Sequence, residues 1–433
     1  MNRLEIIINI GIKLFKQLNV STKNRILNIF KPGISKLRSF ASSATKLFNA
    51  FIIHPLKINS RNFGGPKEAL LSFKDIDAYV ARKKKQGLNY FSWHFFDKEI
   101  KIKEVEYTIG TPLPGAAVPG YTTTSTEYVY SMPNIRIYSK NFFTLTEDNY
   151  LLAPVSNYYG DKKKSHPAFG MLFLPKYKIL KGRSIIVRGG AYWHKMQDGL
   201  PALYLAELAG FDFDKIDHFI IQDQTIDQNS IFTRVGIPLE KQVRLYDDRE
   251  CYLCEELIFS SWYDRKGNWY KDYLDKIIKP EPVAKDFPKK IYLSRSRVNT
   301  RKVLNETEVV SFLKNYGFEC IHNEDLSTDE QIALFKNATH IISCHGSQLT
   351  NIIFCKPGTK VCEIRHITHT IHYKKAFHDL SNGFGLDYYL LYTALGEKYF
   401  DENNHIIETD THMYIDLADM QLMLEKMDLK EIN

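Results

Sequence analysis

The segments KIYLSRSR (residues 290–297) and HIISCHGSQLTN (residues 340–351) decide the fold of this chain. Each begins with an apolar run that predicts a buried strand, and each turns polar where that strand ends. Ser327 and Glu330 form a capping-box pattern before a helix over residues 328–337, and residues 360–364 predict a further strand. Strands that alternate with helices predict a parallel sheet in an α/β fold.

Polar and charged residues that could bind a ligand follow the ends of these predicted strands. Ligands of an open parallel sheet bind at the carboxyl ends of its strands, so we expect these residues to converge on one crevice. Arginines, a glycine that lets the backbone approach a ligand, and a helix N-terminus together suit a phosphate. The alternatives are a solvated charged loop for the arginines and an ordinary turn for the glycine segment. The residues are Arg295, Arg297, Arg301, His345, Gly346, Ser347 and Glu363.

A second group of candidates lies earlier in the chain. His194 and Asp198 are four residues apart and share one helical face, so the carboxylate can orient the imidazole or act as a base itself. A packed core histidine is the alternative. Asp223, after the predicted strand over residues 219–222, is a further candidate carboxylate. The Asp212-Phe-Asp214 motif has the form of some metal-binding sites, but it precedes a strand, and we assign it no metal.

The charge of the chain is concentrated at its N-terminus. The 433 residues carry a formal charge of +8, yet residues 1–67 alone hold twelve Lys or Arg and one acid, Glu5. The remainder has 46 basic and 49 acidic residues, a balance of about −3. The basic character therefore belongs to an N-terminal arm and does not indicate nucleic-acid binding.

The arm, residues 1–66, repeats apolar residues at helical spacing between lysines and arginines. No stretch approaches the roughly 20 apolar residues of a membrane span, and Glu5 interrupts any signal-peptide core. The pattern predicts an interfacial helix on an anionic membrane surface through residues 1–60. The alternative is a helical extension packed on the body or on a partner chain. The six cysteines are scattered and predict structural thiols.

The body divides into domains at changes of composition. Residues 67–283 predict a first domain with a β-rich N-terminal insertion, and a Pro-rich linker over residues 279–288 closes it. Residues 284–405 carry the phosphate crevice, and residues 406–433 predict a last helix that packs back on the first domain. Two α/β halves with a phosphate site in one of them are typical of an enzyme with a cleft.

The motifs together resemble glycosyltransferase family 61, whose members occur in capsule loci, plants and animals. The resemblance covers the chain after the arm and implies a GT-B architecture, with two Rossmann-like domains facing across a cleft. It also implies inverting transfer from a nucleotide sugar with neither a cofactor nor an essential metal. The motifs that carry it are Tyr192-Trp193-His194, Asp198-Gly-Leu-Pro201, Ser294-Arg295 with Arg301, Ser327 with Glu330-Gln331, His345-Gly346-Ser347-Gln348-Leu349-Thr350-Asn351 and Glu363-Ile364.

The resemblance assigns roles to the candidates. Arg295 and Arg301, with the turn at His345-Gly346-Ser347, would bind a nucleoside diphosphate, and Glu363 would hold a ribose or sugar hydroxyl. His194 or Asp198 would deprotonate the acceptor, while Asp223, Arg297 and Asn351 are secondary candidates.

The reaction implied is transfer from a UDP-sugar to a surface polysaccharide or lipid-linked glycan at the cytoplasmic face of the cell membrane. One alternative is a non-catalytic nucleotide- or glycan-binding subunit of a membrane-associated assembly. The other is a transferase that uses a CMP-activated sugar.

The charge of the arm predicts membrane binding that depends on salt. Each Lys or Arg near an anionic surface contributes about 1 kcal/mol, screened over about 8 Å. The full-length protein should therefore sediment with anionic vesicles, bind neutral vesicles weakly and be partly released by high salt. A chain that begins at Gly64 should fold and remain in the supernatant. Equal sedimentation of both proteins would contradict the assignment.

Overall fold

The computed structural model describes residues 66–96, 99–111, 120–124, 126–139, 141–156, 166–171, 176–222, 231–245, 250–261, 269–371, 375–398, 400–401 and 403–432. Residues 1–65 of the predicted arm and the candidate Asp223 lie outside these ranges. No helix within them combines the length and the apolar character that a bilayer span requires.

The strands of the described chain are β1 (Glu68–Leu70), β2 (Phe91–Phe96), β3 (Ile100–Ile102), β4 (Tyr107–Ile109), β5 (Tyr121–Thr123), β6 (Thr126–Tyr138), β7 (Phe143–Leu145), β8 (Tyr150–Leu152), β9 (Lys178–Val187), β10 (His218–Ile221), β11 (Gln242–Arg244), β12 (Cys251–Ser260), β13 (Lys290–Leu293), β14 (Glu319–Ile321), β15 (His340–Cys344), β16 (Lys360–His366) and β17 (Asp387–Thr393).

The α-helices are α1 (Phe73–Lys85), α2 (Tyr192–His194), α3 (Leu200–Leu208), α4 (Ile231–Arg234), α5 (Trp269–Ile277), α6 (Glu306–Lys314), α7 (Thr328–Asn337), α8 (Ala376–Gly383) and α9 (Leu417–Lys426). A π-helical turn, Lys195–Gly199, joins α2 to α3, and a 3₁₀ helix, Ser347–Phe354, follows β15.

The chain forms two compact units. The first consists of the described residues within Met1–Arg82, Pro133–Leu180 and Asp247–Cys254, and the second of those within Lys83–Met132, Lys181–Tyr246 and Glu255–Asn433. The predicted domain borders at 66/67, 283/284 and 405/406 stay predictions. All candidate site residues that the structure describes lie in the second unit.

The first unit is the β-rich part of the chain. Strand β1 pairs in parallel with β8, β8 pairs antiparallel with β7, and β7 pairs antiparallel with residues 136–138 of β6. Its core is a cluster of buried side chains around Tyr138, Phe143 and Leu151. Short strands with apolar alternation account for this part of the fold.

The second unit is built on a six-stranded, wholly parallel sheet in the order β14-β13-β15-β16-β17-β4. This confirms the parallel sheet predicted from residues 290–364. Strand β4 extends it from far earlier in the chain, an addition that no local pattern indicated. Helix α7 begins where it was predicted, because Ser327 and Glu330 make both hydrogen bonds of a capping box.

Both faces of this sheet are covered, as the period of two along each strand requires. On β13, Ile291 and Leu293 face one apolar core, whereas Tyr292 faces the other. The second core receives Met420 and Leu424 of helix α9. That helix, the predicted C-terminal one, packs on β4 and β17 of the six-stranded parallel sheet.

The first of these cores joins the two predicted halves of the body. Its members come from residues 129–278 and from residues 291–392 of the second unit. The segment with His194 and the segment with Arg295 are therefore parts of one hydrophobic core. Representative members are Leu203, Phe232, Tyr270, Leu293, Leu349 and Phe377.

Candidate functional site

The loop after β13 is fixed by one carboxylate. Glu306, the first residue of α6, accepts hydrogen bonds from the Tyr292 hydroxyl at 2.9 Å, from Ser294 Oγ at 2.9 Å and from the backbone N–H of Arg295 at 3.1 Å. These three hydrogen bonds fix the end of β13 and the backbone of Arg295, and so the direction in which the Arg295 side chain leaves it. No sequence pattern indicates this role for Glu306, because nothing local shows that a glutamate at a helix start bonds back to the preceding strand.

Arg295 itself is a buried cation. The residue is only 7% exposed, and its Nη2 donates a hydrogen bond to the carbonyl of Thr300 at 3.1 Å. Its buried Nε lacks a hydrogen-bond partner, and no carboxylate of the described residues forms an ion pair with it. Burial, followed by the nearby charge of Arg301, lowers the pKa of Arg295 to about 10. A charge held in this state strongly favours an anionic ligand.

Gly346 makes room for this guanidinium. A Cβ at position 346 would lie 2.1 Å from Arg295 Nη1, so any other residue would displace the arginine. Gly346 has an extended backbone with φ 170°, which any residue can adopt. A glycine is needed here because the Arg295 side chain lies so close to its Cα. Ser347, which is exposed, then opens the 3₁₀ helix. The sequence predicted a helix here, and the helix is of the 3₁₀ type.

Arg301 lies close to Arg295 and His345. Its positive charge lowers the pKa of both residues. Arg301 adopts a positive φ of 55°, its backbone N–H donates to the carbonyl of Asp410 at 3.1 Å, and its Nε lies 3.5 Å from Asp410 Oδ1. The C-terminal segment thus holds the second guanidinium near the first. Two neighbouring guanidinium groups form a site suited to a diphosphate.

His345 and Glu363 belong to a buried hydrogen-bond network. Arg365 donates to Glu363 through Nε and Nη2, both at 2.8 Å, and the Tyr388 hydroxyl donates to the same carboxylate. His345 Nδ1 also bonds to it. Burial alone raises the pKa of Glu363, but Arg365 and His345 outweigh it and hold that pKa well below its ordinary value. Since Glu363 is an anion, His345 carries its proton on Nδ1.

This setting differs from the one expected for Glu363. Glu363 is fully buried, and its carboxylate already accepts four hydrogen bonds, so contact with a ribose or sugar hydroxyl would have to displace a partner. The geometry instead suits a carboxylate that orients His345. Arg365 and Tyr388, which complete the network, are contacts that the sequence analysis missed.

Arg297 does not join the cluster. Its side chain is half exposed and pairs with Asp325 at 2.5 Å. Strand β13 ends at Leu293, so the alternation of a strand no longer aligns Arg297 with Arg295. A role for Arg297 in the site stays a prediction.

The His194–Asp198 pair predicted from the sequence exists. His194 Nδ1 lies 2.6 Å from Asp198 Oδ2, with the imidazole 40% exposed and the carboxylate 2% exposed. The π-helical turn between α2 and α3 includes Asp198, and the Leu200 N–H bonds to the Lys195 carbonyl there. Such turns occur frequently at functional sites. The buried carboxylate orients the imidazole, and the imidazole is the accessible member of the pair.

The segment that carries this pair contacts the segment after β15. Trp193 packs edge-on against Phe377 with ring centroids 4.8 Å apart, and Phe377 contacts the His345 ring at 5.2 Å. The Tyr192 hydroxyl donates to Asn351 Oδ1 at 2.7 Å. The structure therefore brings His194, Asp198, His345 and Asn351 into one region of the second unit.

The Asp212-Phe-Asp214 motif forms a local cap. Asp212 accepts a hydrogen bond from the Asp214 N–H at 3.1 Å and pairs with Lys215 at 3.2 Å. Both contacts are typical of a short helix start at the surface. Across the described residues, no group of three or more His, Cys, Asp or Glu side chains is arranged to hold a metal ion.

Comparison with known proteins gives the class of this site. Residues 192–362 match the family model described as Glycosyltransferase 61. No curated protein matches the chain. The match includes His194, Asp198, Arg295 and His345 and ends one residue before Glu363.

The matched residues thus include the buried arginine at the end of the parallel sheet and the His194–Asp198 pair. The matched region is a glycosyltransferase family 61 domain, which confirms the resemblance stated from the sequence.

The buried histidines of this region predict a pH dependence of stability. Burial lowers the pKa of His345 to about 4 and that of His369 to about 2. An unfolded imidazole titrates near 6.5. Between about pH 6.5 and 4 the unfolded chain therefore binds protons that the folded chain excludes, and the free energy of unfolding falls as pH falls.

His369→Gln tests this dependence. His369 Nε2 donates to the Thr411 carbonyl at 3.2 Å and its Nδ1 accepts from the His366 N–H at 3.3 Å, contacts that a glutamine amide can reproduce. The slope of unfolding free energy against pH should shrink by about 1.4 kcal/mol per pH unit between pH 6 and 4.5. Chemical denaturation measures it, and His405→Gln, at a 75% exposed side chain, is the control. Identical slopes in all three proteins would contradict the assignment.

Proposed function

We propose that the protein is an inverting, metal-independent glycosyltransferase that transfers a sugar from a UDP-sugar to a growing surface polysaccharide or lipid-linked glycan. The family match supports glycosyl transfer. The observation that carries the rest is the buried guanidinium of Arg295, which no described carboxylate neutralises.

The leaving group of this reaction is a nucleoside diphosphate. Arg295 and Arg301 are two cations at the end of the parallel sheet, and the backbone N–H groups at the start of the 3₁₀ helix after Gly346 add donors. Charge develops on the diphosphate as the glycosidic C–O bond breaks. Preorganised cations and N–H groups stabilise such charge more in the transition state than in the ground state, which supports catalysis without a metal.

His194 is the general base in this proposal. Asp198 is buried and accepts the Nδ1 hydrogen bond of the imidazole, so Nε2 carries the lone pair that receives a proton. The acceptor hydroxyl loses its proton to Nε2 while its oxygen attacks the anomeric carbon. The diphosphate leaves from the opposite side with the bonding electrons, which inverts the configuration without a covalent intermediate.

The acceptor and the cellular site of the reaction rest on the arm. An excess of eleven positive charges in residues 1–67 suits an anionic membrane surface, and this surface holds lipid-linked acceptors. We therefore place the enzyme at the cytoplasmic face of the membrane, on the biosynthetic route of a surface polysaccharide such as a capsule.

The test is turnover by matched variants. Purified protein incubated with radiolabelled UDP-sugars and candidate acceptors should transfer sugar, with or without EDTA. His194→Ala should lower turnover by about 10²-fold or more because the base is lost, and Asp198→Asn should lower it because the imidazole tautomer is no longer fixed. UDP binding, measured by calorimetry, should stay near normal in both, and His405→Ala should match the wild type.

Other outcomes favour other functions. Nucleotide binding without turnover for any donor or acceptor would favour the non-catalytic subunit, and turnover with CMP-sugars alone would favour the CMP-dependent transferase. Loss of activity in EDTA that manganese restores would contradict metal independence. Near-normal turnover in both variants would remove His194 and Asp198 from the mechanism.

A further inference from the structure

Three side chains form a continuous hydrogen-bond chain across the second unit. The Tyr192 hydroxyl donates to Asn351 Oδ1 at 2.7 Å, and Asn351 Nδ2 donates to Gln331 Oε1 at 2.8 Å. Gln331 Nε2 donates to the backbone carbonyls of Asn323 at 2.9 Å and Leu326 at 3.1 Å. The chain links the segment before His194 to the 3₁₀ helix after Gly346 and to helix α7.

The polarity of this chain is fixed from one end. Two carbonyl acceptors require the amide nitrogen of Gln331, so its oxygen must face Asn351. The Asn351 amide nitrogen therefore faces Gln331, and its oxygen faces Tyr192, which must donate. Burial raises the pKa of Tyr192 well above its ordinary value, so the hydroxyl keeps the proton that this arrangement needs. Only one orientation of each side chain satisfies all four bonds.

Asn351 is placed to support other residues. It is 1% exposed, and both ends of its amide are already engaged by Tyr192 and Gln331. Asn351 was a secondary candidate from the sequence, and its burial between these two partners suits a supporting role. The two segments have a second connection, because Trp193, next to Tyr192, and His345, six residues before Asn351, both pack on Phe377.

We propose that Tyr192 and Asn351 are positioning residues that hold the His194–Asp198 pair at a fixed distance from the donor site. This inference rests on the proposed function. Tyr192 is two residues before His194, and Asn351 is five residues after Gly346, so the hydrogen bond between them joins the base segment to the donor segment. A misplacement of about 1 Å at a reacting centre is enough to cost about 10²-fold in rate.

The test separates turnover from binding. Tyr192→Phe removes one hydroxyl and keeps the ring, and it should lower kcat about tenfold or more while the donor KM and the UDP dissociation constant stay within twofold. Asn351→Leu should act in the same direction. The double variant should be no slower than the slower single variant, since both substitutions break the same hydrogen bond. Tyr107→Phe, at another half-buried tyrosine of the same unit, should match the wild type.

Each outcome decides the inference. If Tyr192→Phe transfers sugar at the wild-type kcat, or if the two substitutions act additively, the positioning role is wrong. If kcat, KM and UDP affinity all deteriorate together with thermal stability, the chain serves only folding and the inference fails. A wild-type protein that binds UDP but transfers no sugar overturns the proposed function and, with it, this role.

Discussion

The buried guanidinium of Arg295, packed against Gly346, is the contact on which the rest of the site depends. Removing a cation from water costs several kcal/mol unless a partner offsets it, and no described carboxylate pairs with this one. The protein holds it there by means of Glu306, which fixes the Arg295 backbone, and by a glycine that leaves space for its side chain. Arg301, tied to Asp410, then adds a second charge that further disfavours the site without an anion.

The buried charge of Glu363, unlike that of Arg295, is neutralised by a partner of opposite charge. Glu363 and Arg365 are fully buried, but they make two direct hydrogen bonds, and His345 and Tyr388 occupy the remaining carboxylate positions. A fully satisfied network of this kind rigidifies its surroundings, whereas the buried Nε of Arg295 has no hydrogen-bond partner. Glu363, on β16, is therefore suited to stabilise the fold, whereas Arg295, after β13, is suited to bind a ligand.

Local signals predicted much of this architecture. The apolar runs at residues 290–293 and 340–344 became β13 and β15, and Ser327 with Glu330 became a complete capping box. Within the β-rich part, residues 126–138 form one long strand, β6, although Asn134 adopts a positive φ of 54° inside it.

The parts that the sequence did not predict depend on distant residues. Asp410 reaches Arg301, Tyr388 reaches Glu363, and Tyr192 reaches Asn351 across 159 positions of the chain. Spacing along one helix was sufficient for His194 and Asp198, since residues four apart share a face. Whether a polar residue at a strand end meets a ligand or a buried partner, as for Arg295 and Glu363, is decided only by tertiary packing.

Calorimetric titration of UDP into the wild type and into Arg295→Met tests the central claim most directly, because methionine removes the charge and keeps much of the volume. Loss of charge-assisted hydrogen bonds of about 1.5–3 kcal/mol should weaken binding roughly 10- to 150-fold. The half-exposed Arg297, changed to Met, is the matched control and should leave the affinity within about threefold. Equal affinities in the wild type and Arg295→Met would show that the buried guanidinium does not bind the diphosphate.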